Sequence, residues 1–446
     1  MIDVQALKLK VLRLALSGQL LYSDDSDISV DELIATMQAQ KAHLVKTKKI
    51  RADKLPDCID ESMIPFPIPS YWKWMYLGDV FYHNTGKALD STDTQGKKLT
   101  YITTSNLYWD RFVLEDLRSM YFTDDEIEKC SAIKGDLLVC EGGDYGRAAI
   151  WDKDYPIRLQ NHIHKLRPYV ETCIRFYYYV FFYYKFANMI HGKGIGLEGL
   201  STNKLHQLLI PLPPYEEQKR IVEHVDKAFA ILDRINVVQA EYTDNLEALR
   251  EAIVTLGITG KLVNSSIDWD DVSNSKELWE VTIWDKKFNN VDKAKQKKTI
   301  KYKYALASEL QKMEDDTGTV FLLSTGGYKG YTTEEKAGDY LHDGEVVAIP
   351  WGGSPVIKYY KGRFVTSDNR IATSSDEKIL LTRYLYYFFV GNYRFLKSVY
   401  RGTGLEHPEM SKILNMNITL PPVEEQKRIV DRLDSMLSIF DSMTVR

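Results

Sequence analysis

One stretch of this chain occurs twice, and the repeat limits what the chain can fold into. LPPYEEQKRIV begins at Leu212, and LPPVEEQKRIV begins 208 residues later at Leu420. Residues 210–235 and 418–443 are identical at 14 of 26 positions. The likeness extends upstream at the same offset, where GIGLE faces GTGLE and QNHI faces DNRI. A fixed period of this kind indicates an internally duplicated fold.

A second matched pair lies at the opposite end of each copy. LKLKVLRLALSGQLLYS from Leu7 resembles LREAIVTLGITGKLVNS from Leu249, at an offset of 242 residues. The two offsets, 242 and 208, differ by 34 residues, which indicates a longer first copy. Similar ends therefore frame two divergent middles, residues 60–212 and 268–420.

The framing stretches predict long amphipathic helices. A Pro-Pro pair stands where each helix would begin, and Glu-Glu in the first turn suits the positive end of the helix dipole. Apolar residues then recur alternately four and three positions apart, which is typical of a coiled-coil seam. With Gly257 and Gly260 at its end, the central helix is expected to be roughly 60 Å long. The seam residues are Ile221, Val225, Leu232, Ile235, Tyr242, Leu246, Leu249, Ile253, Ile429, Leu433, Met436 and Phe440.

The C-terminal seam matches only the first half of the central one, and the N-terminal helix matches the second half. We therefore predict a circularly permuted arrangement with a pseudo-twofold internal repeat, in which the continuous central helix lies antiparallel to a split partner. The alternative is that both are ordinary amphipathic helices packed on their own domains. The expected boundaries are 1–20 for the N-terminal helix, 60–212 and 268–420 for the middles, 213–262 for the central helix and 421–446 for the C-terminal helix.

Each middle has the pattern of a mixed α/β domain, which makes the fold class α+β. Short β-rich runs such as DLLVC and EVVAI alternate with Gly, Asp and Asn turn signals. Each middle ends in an aromatic run, FYYYVFFYY in the first, and this run has about half the length needed to cross a bilayer. We expect the aromatic runs to form helices buried against the sheets, with stacking on nucleic-acid bases as the alternative.

Composition and motifs argue against several classes of protein. The formal net charge of −4 argues against a protein that coats nucleic acid with its whole surface. The 4 cysteines lie far apart, which argues against a zinc module or a disulfide framework and favours a reducing cytosol. No Gly-Lys pair is followed by Ser or Thr as in a P-loop, and HIH at His162 lacks a third metal ligand nearby. We expect no catalytic centre, no metal and no membrane segment.

The whole chain resembles the specificity subunit of a type I restriction-modification system. The resemblance rests on the repeated LPP-x-EEQ-x-RIV helices, on their closing G-(K/Q)-L, and on TSNLYW at Thr104 and QNHIHKLRP at Gln160. The second middle departs from the pattern, because it lacks a clear TSNL-type segment and carries SDNRIATSS instead of the usual wording. The resemblance implies two α/β target-recognition domains separated by long antiparallel coiled-coil helices.

The resemblance also implies a division of labour between this chain and its partners. Each middle would read one half of a bipartite, asymmetric site on double-stranded DNA, and the chain itself would be cytoplasmic, non-catalytic and without a cofactor. Two methyltransferase subunits would bind S-adenosylmethionine and methylate an adenine flipped out of the duplex, and restriction and translocation subunits would cut unmarked DNA. The helices would serve as a spacer and as docking surfaces for these partners through Glu217, Gln218, Arg220, Glu425, Gln426 and Arg428.

Candidate DNA contacts lie mainly in glycine-rich loops. EGGDYGRAAIW and WGGSPVIKYYKGR stand at equivalent places in the two middles, and their glycines would let the backbone come close to DNA. A purely structural turn is the alternative for any single residue. The run from Asp285 adds eight lysines with interleaved aromatics, for which a solvated surface is the alternative. The candidates are Thr104, Ser105, Asn106, Tyr145, Arg147, Lys193, Tyr328, Lys329, Ser354, Lys358, Arg363, Arg370 and Arg401.

Two other classes of function stay open at this point. The chain could be a coiled-coil protein-interaction scaffold with two ligand-binding domains, which a salt-sensitive affinity for DNA would argue against. It could also be a self-sufficient DNA methyltransferase or nuclease. LPPY at Leu212 argues against the latter, since Leu stands where the D/N-P-P-Y/F loop of amino-methyltransferases has an amide or carboxylate.

Overall fold

The chain forms two compact units, Met1–Gln239 and Ala240–Arg446, which we call the first and the second unit. The computed structural model describes residues 1–21, 29–51, 55–56, 58–90, 92–190, 199–402 and 406–444. Among the helices in these ranges, none is both long and apolar enough to span a membrane.

The first unit contains helices at both ends and a strand-rich middle. Its helices are α1 (Val4–Leu16), α2 (Val30–Lys46), α3 (Leu77–Val80), α4 (Asp124–Cys130), α5 (Ile174–Phe186), α6 (Thr202–His206) and the N-terminal part of α7 (Tyr215–Ile258). Its strands are β1 (Lys73–Tyr76), β2 (Phe81–Thr85), β3 (Lys97–Ile102), β4 (Leu107–Tyr108), β5 (Arg111–Phe112), β6 (Arg118–Phe122), β7 (Ser131–Ala132), β8 (Leu137–Cys140), β9 (Ala148–Ile150), β10 (Ile157–Leu159), β11 (Ile163–Pro168) and β12 (Leu209–Leu212).

Two four-stranded sheets build the middle of the first unit, in the orders β6-β3-β10-β7 and β2-β11-β8-β9. Strand β8 is buried on both faces, because its alternate residues enter two different hydrophobic cores. Leu137 and Val139 pack in the core that contains α5, and Leu138 and Cys140 pack in the core on the other side. Helix α5 is buried along most of its length, which confirms the predicted burial of the aromatic run.

The second unit follows the same order of elements with fewer and longer strands. Its helices are the C-terminal part of α7, α8 (Leu278–Val281), α9 (Ala307–Lys312), α10 (Glu334–Ala337), α11 (Thr382–Gly391), α12 (Tyr393–Ser398), α13 (Met410–Leu414) and α14 (Val423–Thr444). Its strands are β13 (Ser275–Glu277), β14 (Thr282–Trp284), β15 (Val320–Leu323), β16 (Tyr331–Thr332), β17 (His342–Pro350), β18 (Lys358–Thr366), β19 (Asn369–Ser374), β20 (Tyr400–Arg401), β21 (His407–Pro408) and β22 (Asn417–Thr419).

One six-stranded sheet, β14-β19-β17-β18-β15-β16, takes the place of the two sheets of the first unit. The C-terminal half of strand β17 is also buried on both faces, with Val347 and Ile349 in the core that contains α11 and with Val346 and Ala348 in another. Helix α11 is the second aromatic run, and most of its aromatic side chains are buried as predicted.

The register of the central strands repeats between the units. In the first unit Ile163 of β11 faces Cys140 of β8. In the second unit Ile371 of β19 faces Ala348 of β17, and both residues lie 208 positions after their counterparts. The offset that was found in the framing helices therefore also holds inside the sheets.

Each unit pairs one of the terminal helices with part of α7. In the first unit, Ile2 N donates to the Gln239 side chain at 2.5 Å and the Lys8 ammonium lies 2.5 Å from the Asp233 carboxylate, so α1 runs antiparallel to α7. In the second unit, Arg250 lies 3.1 Å from Asp441 in α14. The predicted α+β fold, with an internal repeat and with a terminal helix against part of the central helix in each unit, is confirmed.

The predicted seam of α7 is buried at its two ends and more open between them. Ile221, Val225, Leu232 and Ile253 are buried, and Ile235 and Leu246 are half-buried. Tyr242 and Leu249 are 48% and 50% exposed. On α14, Ile429 and Leu433 are buried, whereas Met436 and Phe440 are half-buried. The sequence pattern overstated the burial of the stretch 242–249, because hydrophobic spacing alone does not show where a partner helix lies.

Candidate nucleic-acid interface

In the first unit, Arg147 joins two of the segments that the sequence singled out. The 3-10 turn Thr104–Asn106 follows β3, and the glycine-rich loop 141–147 connects β8 to β9. One terminal nitrogen of the Arg147 guanidinium donates to the Thr104 carbonyl oxygen at 2.7 Å, and the guanidinium lies 5.1 Å from the centroid of the Tyr108 ring. The Arg147 side chain is only 16% exposed. Arg147 therefore holds the turn against the loop.

Lys185, near the end of α5, fixes the tip of the same loop. Its ammonium donates to the Tyr145 carbonyl oxygen at 2.8 Å, lies 3.0 Å from the Asp144 carboxylate, and stands 4.1 Å from the centroid of the Tyr145 ring. The aromatic helix therefore supports the loop as well as the core. Sequence reasoning missed Lys185, because it lies 40 residues from Tyr145 in an otherwise apolar run.

In the turn Thr104–Asn106, the polar side chains differ in exposure and in their hydrogen bonds. The Asn106 side-chain oxygen accepts from the Thr103 N–H and hydroxyl, both at 2.9 Å, and its NH2 group donates to the Val113 carbonyl at 3.0 Å. Asn106 therefore shapes the turn from inside. Ser105 is exposed, with its hydroxyl 2.7 Å from that of Thr103, and Thr104 is half-buried.

In the second unit, Arg370 is buried beneath the equivalent loop. Its guanidinium carbon lies 3.5 Å from the centroid of the Trp351 ring, and a terminal nitrogen donates to the Asp368 carboxylate at 3.1 Å. The Arg370 side chain is 6% exposed, and this burial lowers the pKa of Arg370. Arg370 was expected to touch DNA directly. Its position beneath Trp351 assigns it instead to holding the loop that begins there.

Lys358 holds a second loop of this unit, residues 324–330. Its ammonium donates to the carbonyl oxygens of Ser324 and Gly326, and it lies 3.2 Å from the Ser324 hydroxyl. Burial lowers the pKa of Lys358 to about 8. A lysine engaged in this way is a support for the loop, whereas the sequence suggested it as a DNA contact.

The loop 324–330 takes the place that the TSNL-type turn has in the first unit. It follows β15, which runs parallel to β18, as the turn Thr104–Asn106 follows β3, which runs parallel to β10. The sequence STGGYKG of this loop shows no likeness to TSNLYW. Only the position in the sheet identifies it as the counterpart.

The other candidates of the second unit differ in exposure. Lys329 and Ser354 are exposed on the two loops. Tyr328 is half-buried, and burial raises the pKa of its hydroxyl to about 12. Arg401 is exposed on β20, 3.6 Å from Glu409.

Two of the remaining candidates stand apart. Arg363 is exposed on β18 and forms an ion pair with Glu334 on α10. Lys193 lies outside the described residues.

The segment around β20 and β21 lies beside the loop that begins at Trp351. The Gly353 N–H donates to the Glu406 carbonyl at 2.9 Å, and the Tyr400 hydroxyl donates to the Pro350 carbonyl at 2.8 Å. A ring nitrogen of His407 lies 2.8 Å from the Trp351 carbonyl oxygen and donates to it. Exposed Ser354 and Arg401 therefore belong to one surface together with this loop.

The Glu residues at the two helix starts are buried in matching places. Glu217 is 1% exposed and accepts from the Trp72 indole N–H at 3.0 Å and from the Tyr71 hydroxyl at 3.2 Å. Glu425 is also 1% exposed and accepts from the Ser266 N–H at 2.9 Å and from the Ser265 hydroxyl at 2.6 Å. Each carboxylate ties its helix to the chain of its own unit.

The neighbouring Gln residues are fully buried and hold the helix starts to the aromatic helices. The Gln218 side-chain oxygen accepts from the Thr172 hydroxyl at 2.8 Å and from Cys173 N at 3.1 Å, and its NH2 donates to the Pro213 carbonyl at 2.9 Å. Gln426 accepts from Leu381 N at 2.9 Å. Because Glu217, Gln218, Glu425 and Gln426 are buried and bonded inside their units, they are not available for the expected docking. Arg220 is half-buried and Arg428 is exposed.

Two histidines of the HIH motif have different surroundings. His162 is 55% exposed, and a ring nitrogen lies 3.4 Å from the Glu141 carboxylate. His164 is fully buried, with Nε2 2.7 Å from the Leu200 carbonyl and Nδ1 2.8 Å from Nε2 of His83. A carbonyl can only accept, so neutral His164 carries its proton on Nε2 and accepts from His83. Burial lowers the pKa of His164, and across the described ranges no three His, Cys, Asp or Glu side chains form a metal-ligand group.

Comparison with known proteins gives consistent relatives. Residues 69–239 and 268–444 match the family model of the type I restriction modification DNA specificity domain. The specificity subunit of the type I restriction enzyme EcoAI from Escherichia coli is 28% identical over 250 residues, which are 53% of this chain and 41% of that subunit. The EcoBI specificity subunit from Escherichia coli is 28% identical over 169 residues, 38% of this chain and 35% of that subunit. The matches thus span about two fifths or less of these two curated relatives.

A solved structure from work on complex assembly and conformational transition of the type I R-M system has the same fold. The likeness covers 85% of this chain and 93% of that chain, with a TM-score of 0.60 and 17% sequence identity.

Proposed function

Because the chain belongs to the family of type I restriction-modification specificity subunits, we propose that it reads a bipartite, asymmetric DNA site, one half with each unit. It would make and break no bonds itself. The modification chemistry would belong to partner subunits of a restriction-modification complex.

The observation that carries this proposal is the pair of supported loops at matching places of a repeated fold. In the first unit Arg147 and Lys185 hold the turn Thr104–Asn106 and the loop 141–147. In the second unit Lys358 and Arg370 hold the loops 324–330 and 351–357. Cations that fix two loops side by side create a pre-ordered surface, and such surfaces lose less conformational entropy when a ligand binds.

The exposed groups on these loops, together with Arg401 on the neighbouring β20, have the chemistry of DNA contacts. Ser105 in the first unit, with Lys329, Ser354 and Arg401 in the second, can donate to phosphates or to base edges in the major groove. The glycines beside them leave room for the backbone to approach, because a side chain built at Gly142, Gly143 or Gly353 would meet no other atom within 4 Å. The loops differ between the units in sequence and support, so the two half-sites should differ.

Helix α7 is the proposed spacer between the half-sites. At 44 residues it is about 66 Å long, from a rise of about 1.5 Å per residue. Half-sites on one face of DNA repeat about every 34 Å, so a stiff helix can hold two readers at a fixed separation. Removing one heptad within 239–249, with a matching cut in the paired helix, should shorten the unread spacer and leave both half-sites unchanged.

The proposed partners are two methyltransferase subunits, with restriction and translocation subunits in the full complex. The methyltransferases would bind S-adenosylmethionine and methylate one adenine in each half-site. The internal repeat supports this stoichiometry, because it gives two equivalent helix starts with Arg220 and Arg428 on their surfaces. The cytoplasm, where the DNA lies, is the proposed location.

The test is to express this chain with its neighbouring methyltransferase in a host that lacks adenine methylation, and to map modified adenines by single-molecule sequencing. The expected result is one bipartite motif with an adenine modified in each half. A control strain would receive the methyltransferase alone. No motif, with the two proteins shown to form a complex, would contradict the proposal and favour a protein-interaction scaffold.

A further inference from the structure

The second unit contains a lysine-rich segment that has no counterpart in the first. Residues 286–303, which we call the lysine segment, contain eight lysines and one acidic residue, Asp292. They follow β14 and lead towards β15. In the first unit the connection from β2 to β3, residues 86–96, contains one lysine and two aspartates.

The lysine segment is ordered by a buried side chain. Gln296 is 6% exposed, and its side-chain oxygen accepts from Phe288 N at 2.6 Å. Its NH2 group donates to the carbonyl oxygens of Phe288 and Val291, both at 3.0 Å. These three bonds to one glutamine hold the backbone of residues 288–296 in one arrangement, unlike a flexible arm.

Some lysines of the segment are used inside the unit and others face solvent. Lys286, Lys295 and Lys303 pair with Asp368, Glu277 and Asp339 at 3.4, 3.0 and 3.2 Å. The remaining lysines are exposed and take part in none of the ion pairs found among the described residues. They are Lys287, Lys293, Lys297, Lys298 and Lys301.

The segment touches the support of the recognition loop. The Phe288 ring centroid lies 5.9 Å from the Arg370 guanidinium, which in turn lies against Trp351. After the segment, Tyr304 pairs with Thr366, and the Ala305 N–H donates to the Thr366 carbonyl at 2.9 Å. Both ends of the segment therefore lie against residues 366–371.

We infer that the lysine segment binds the phosphates of the DNA that flanks the half-site read by the second unit. The inference rests on the proposed function. Lysine offers a compact, rotatable charge that suits phosphates and reads no base sequence. In the first unit the corresponding lysine, Lys87, is occupied by Asp93 and Glu126 at 2.6 and 2.7 Å. The second unit would therefore supply most of the salt-dependent affinity.

The chain also provides a matched set of charges elsewhere. Lys46, Lys49 and Arg51 are exposed at the end of α2 and just beyond it. They lie in the first unit and outside the loops proposed to read DNA. Replacing these three residues changes the net charge as much as replacing three lysines of the lysine segment. The comparison therefore separates non-specific effects of charge from a local contact.

The experiment compares three forms of the full chain in complex with its methyltransferase. They are the wild type, the segment variant Lys297→Gln/Lys298→Gln/Lys301→Gln, and the control variant Lys46→Gln/Lys49→Gln/Arg51→Gln. Affinity for a random-sequence duplex of about 40 base pairs is measured between about 50 and 200 mM NaCl, because phosphate contacts release counterions whatever the sequence. The methylated motif of each form is mapped in cells.

The segment variant should weaken binding and flatten the slope of log affinity against log salt by about 3, one for each phosphate that no longer meets a lysine. The control should keep the wild-type slope, and all three forms should methylate the same bases. Equal slopes for the two variants would overturn the inference, and so would a changed second half-site, since the lysines would then read bases. Loss of the methyltransferase from the segment variant, with an unchanged slope, would assign the segment to an acidic protein surface.

A different outcome would reject the proposed function without rejecting the inference about the lysine segment. If the wild type yields no bipartite motif while the segment variant still flattens the salt slope, the lysine segment binds DNA and sequence reading by the loops is rejected.

Discussion

The two units are alike at the starts of their long helices and differ in the loops that follow their strands. Gln218 and Gln426 hold the helix starts through the same kind of bonds, and Glu217 and Glu425 are buried beside them. The loops, by contrast, are supported by Arg147 and Lys185 in the first unit and by Lys358 and Arg370 in the second. The cations that support the loops stand at different places in the two units, with Lys185 on a helix but Lys358 and Arg370 on strands, so the loops can diverge while the helix starts stay the same.

The interior also differs at one position of the shared register. His164 faces Val139 in the first unit, and Ala372 faces Val347 in the second. The first unit therefore has a buried titratable group in a strand where the second has a methyl group. The first unit thus holds a histidine with a lowered pKa at a place where the second unit has no titratable group, although their strands are paired in the same way.

The largest expected effect comes from replacing one middle as a whole. Exchanging residues 60–212 for the corresponding segment of a relative with another motif should change one half-site completely and leave the other intact, because each unit has its own cores and loops. Methylation mapping of the chimera checks this. A change in both half-sites would show that the units do not read independently.

Removing a buried glutamine at a helix start should weaken either unit to a similar degree. Gln218→Met and Gln426→Met each leave a part-buried backbone N–H and a buried proline carbonyl without the glutamine partner, at about 1–3 kcal/mol for each unsatisfied group. We expect a loss of about 3 kcal/mol in the free energy of unfolding of the affected unit. Denaturation that is monitored by hydrogen exchange measures the free energy of unfolding of each unit separately. The control is Gln207→Met, a substitution at an exposed glutamine. A loss of stability in only one of the two variants would show that the two glutamines do not contribute equally to the stability of their units.

Replacing either of the two arginines that support loops should affect a different half-site in each case. Arg147→Met should weaken recognition of one half-site, and Arg370→Met that of the other, each by about 2 kcal/mol or about 30-fold, because the loops lose cation–π and hydrogen-bonding supports. Methylation rates on duplexes with one altered half-site measure this. Exposed Arg363→Met is the matched control and should have little effect. Equal losses at both half-sites would contradict separate supports.

The smallest expected effect is the pH dependence that His164 adds to the stability of the first unit. Burial lowers the pKa of His164, so the unfolded chain takes up a proton first as the pH falls below about 6.5. The stability of the first unit should therefore fall from about pH 6.5 towards the lower pKa of the folded state and stay reduced below it.

The urea midpoint of the first unit between about pH 5.5 and 7.5 tests this effect. His164→Gln keeps a donor for Leu200 and an acceptor for His83, but it does not titrate. The variant should lose the part of the pH dependence that is due to residue 164. An unchanged pH profile in His164→Gln would assign the effect to other groups.

Several loop residues that the sequence suggested as DNA contacts make their contacts inside their own unit. Arg147, Lys358 and Arg370 were expected to contact DNA, because basic residues next to glycine-rich turns have that chemistry. The structure places each under a loop, bonded to carbonyl oxygens, a carboxylate or an aromatic ring. The sequence alone cannot distinguish a basic side chain that faces solvent from one that faces the backbone, since both kinds occur next to glycine-rich turns.

The sequence by itself determined the large-scale plan of the protein. The repeated LPP-x-EEQKRIV stretches, their fixed offset and the four-three spacing predicted the duplication, the long central helix from about 215 and the split partner. These features are local, because helix starts and hydrophobic periodicity depend on residues only a few positions apart. The burial of the aromatic runs followed from their composition.

Only the tertiary structure decided how the loops are held and which charges stay free. It revealed the loop 324–330 as the counterpart of the turn Thr104–Asn106, the support from Lys185 and Trp351, and the exposed middle of α7. It also separated the lysines of the segment 286–303 that pair inside the unit from those that face solvent. Each of these depends on contacts between residues far apart in the chain, and side-chain distances of that kind follow from packing, which no local pattern encodes.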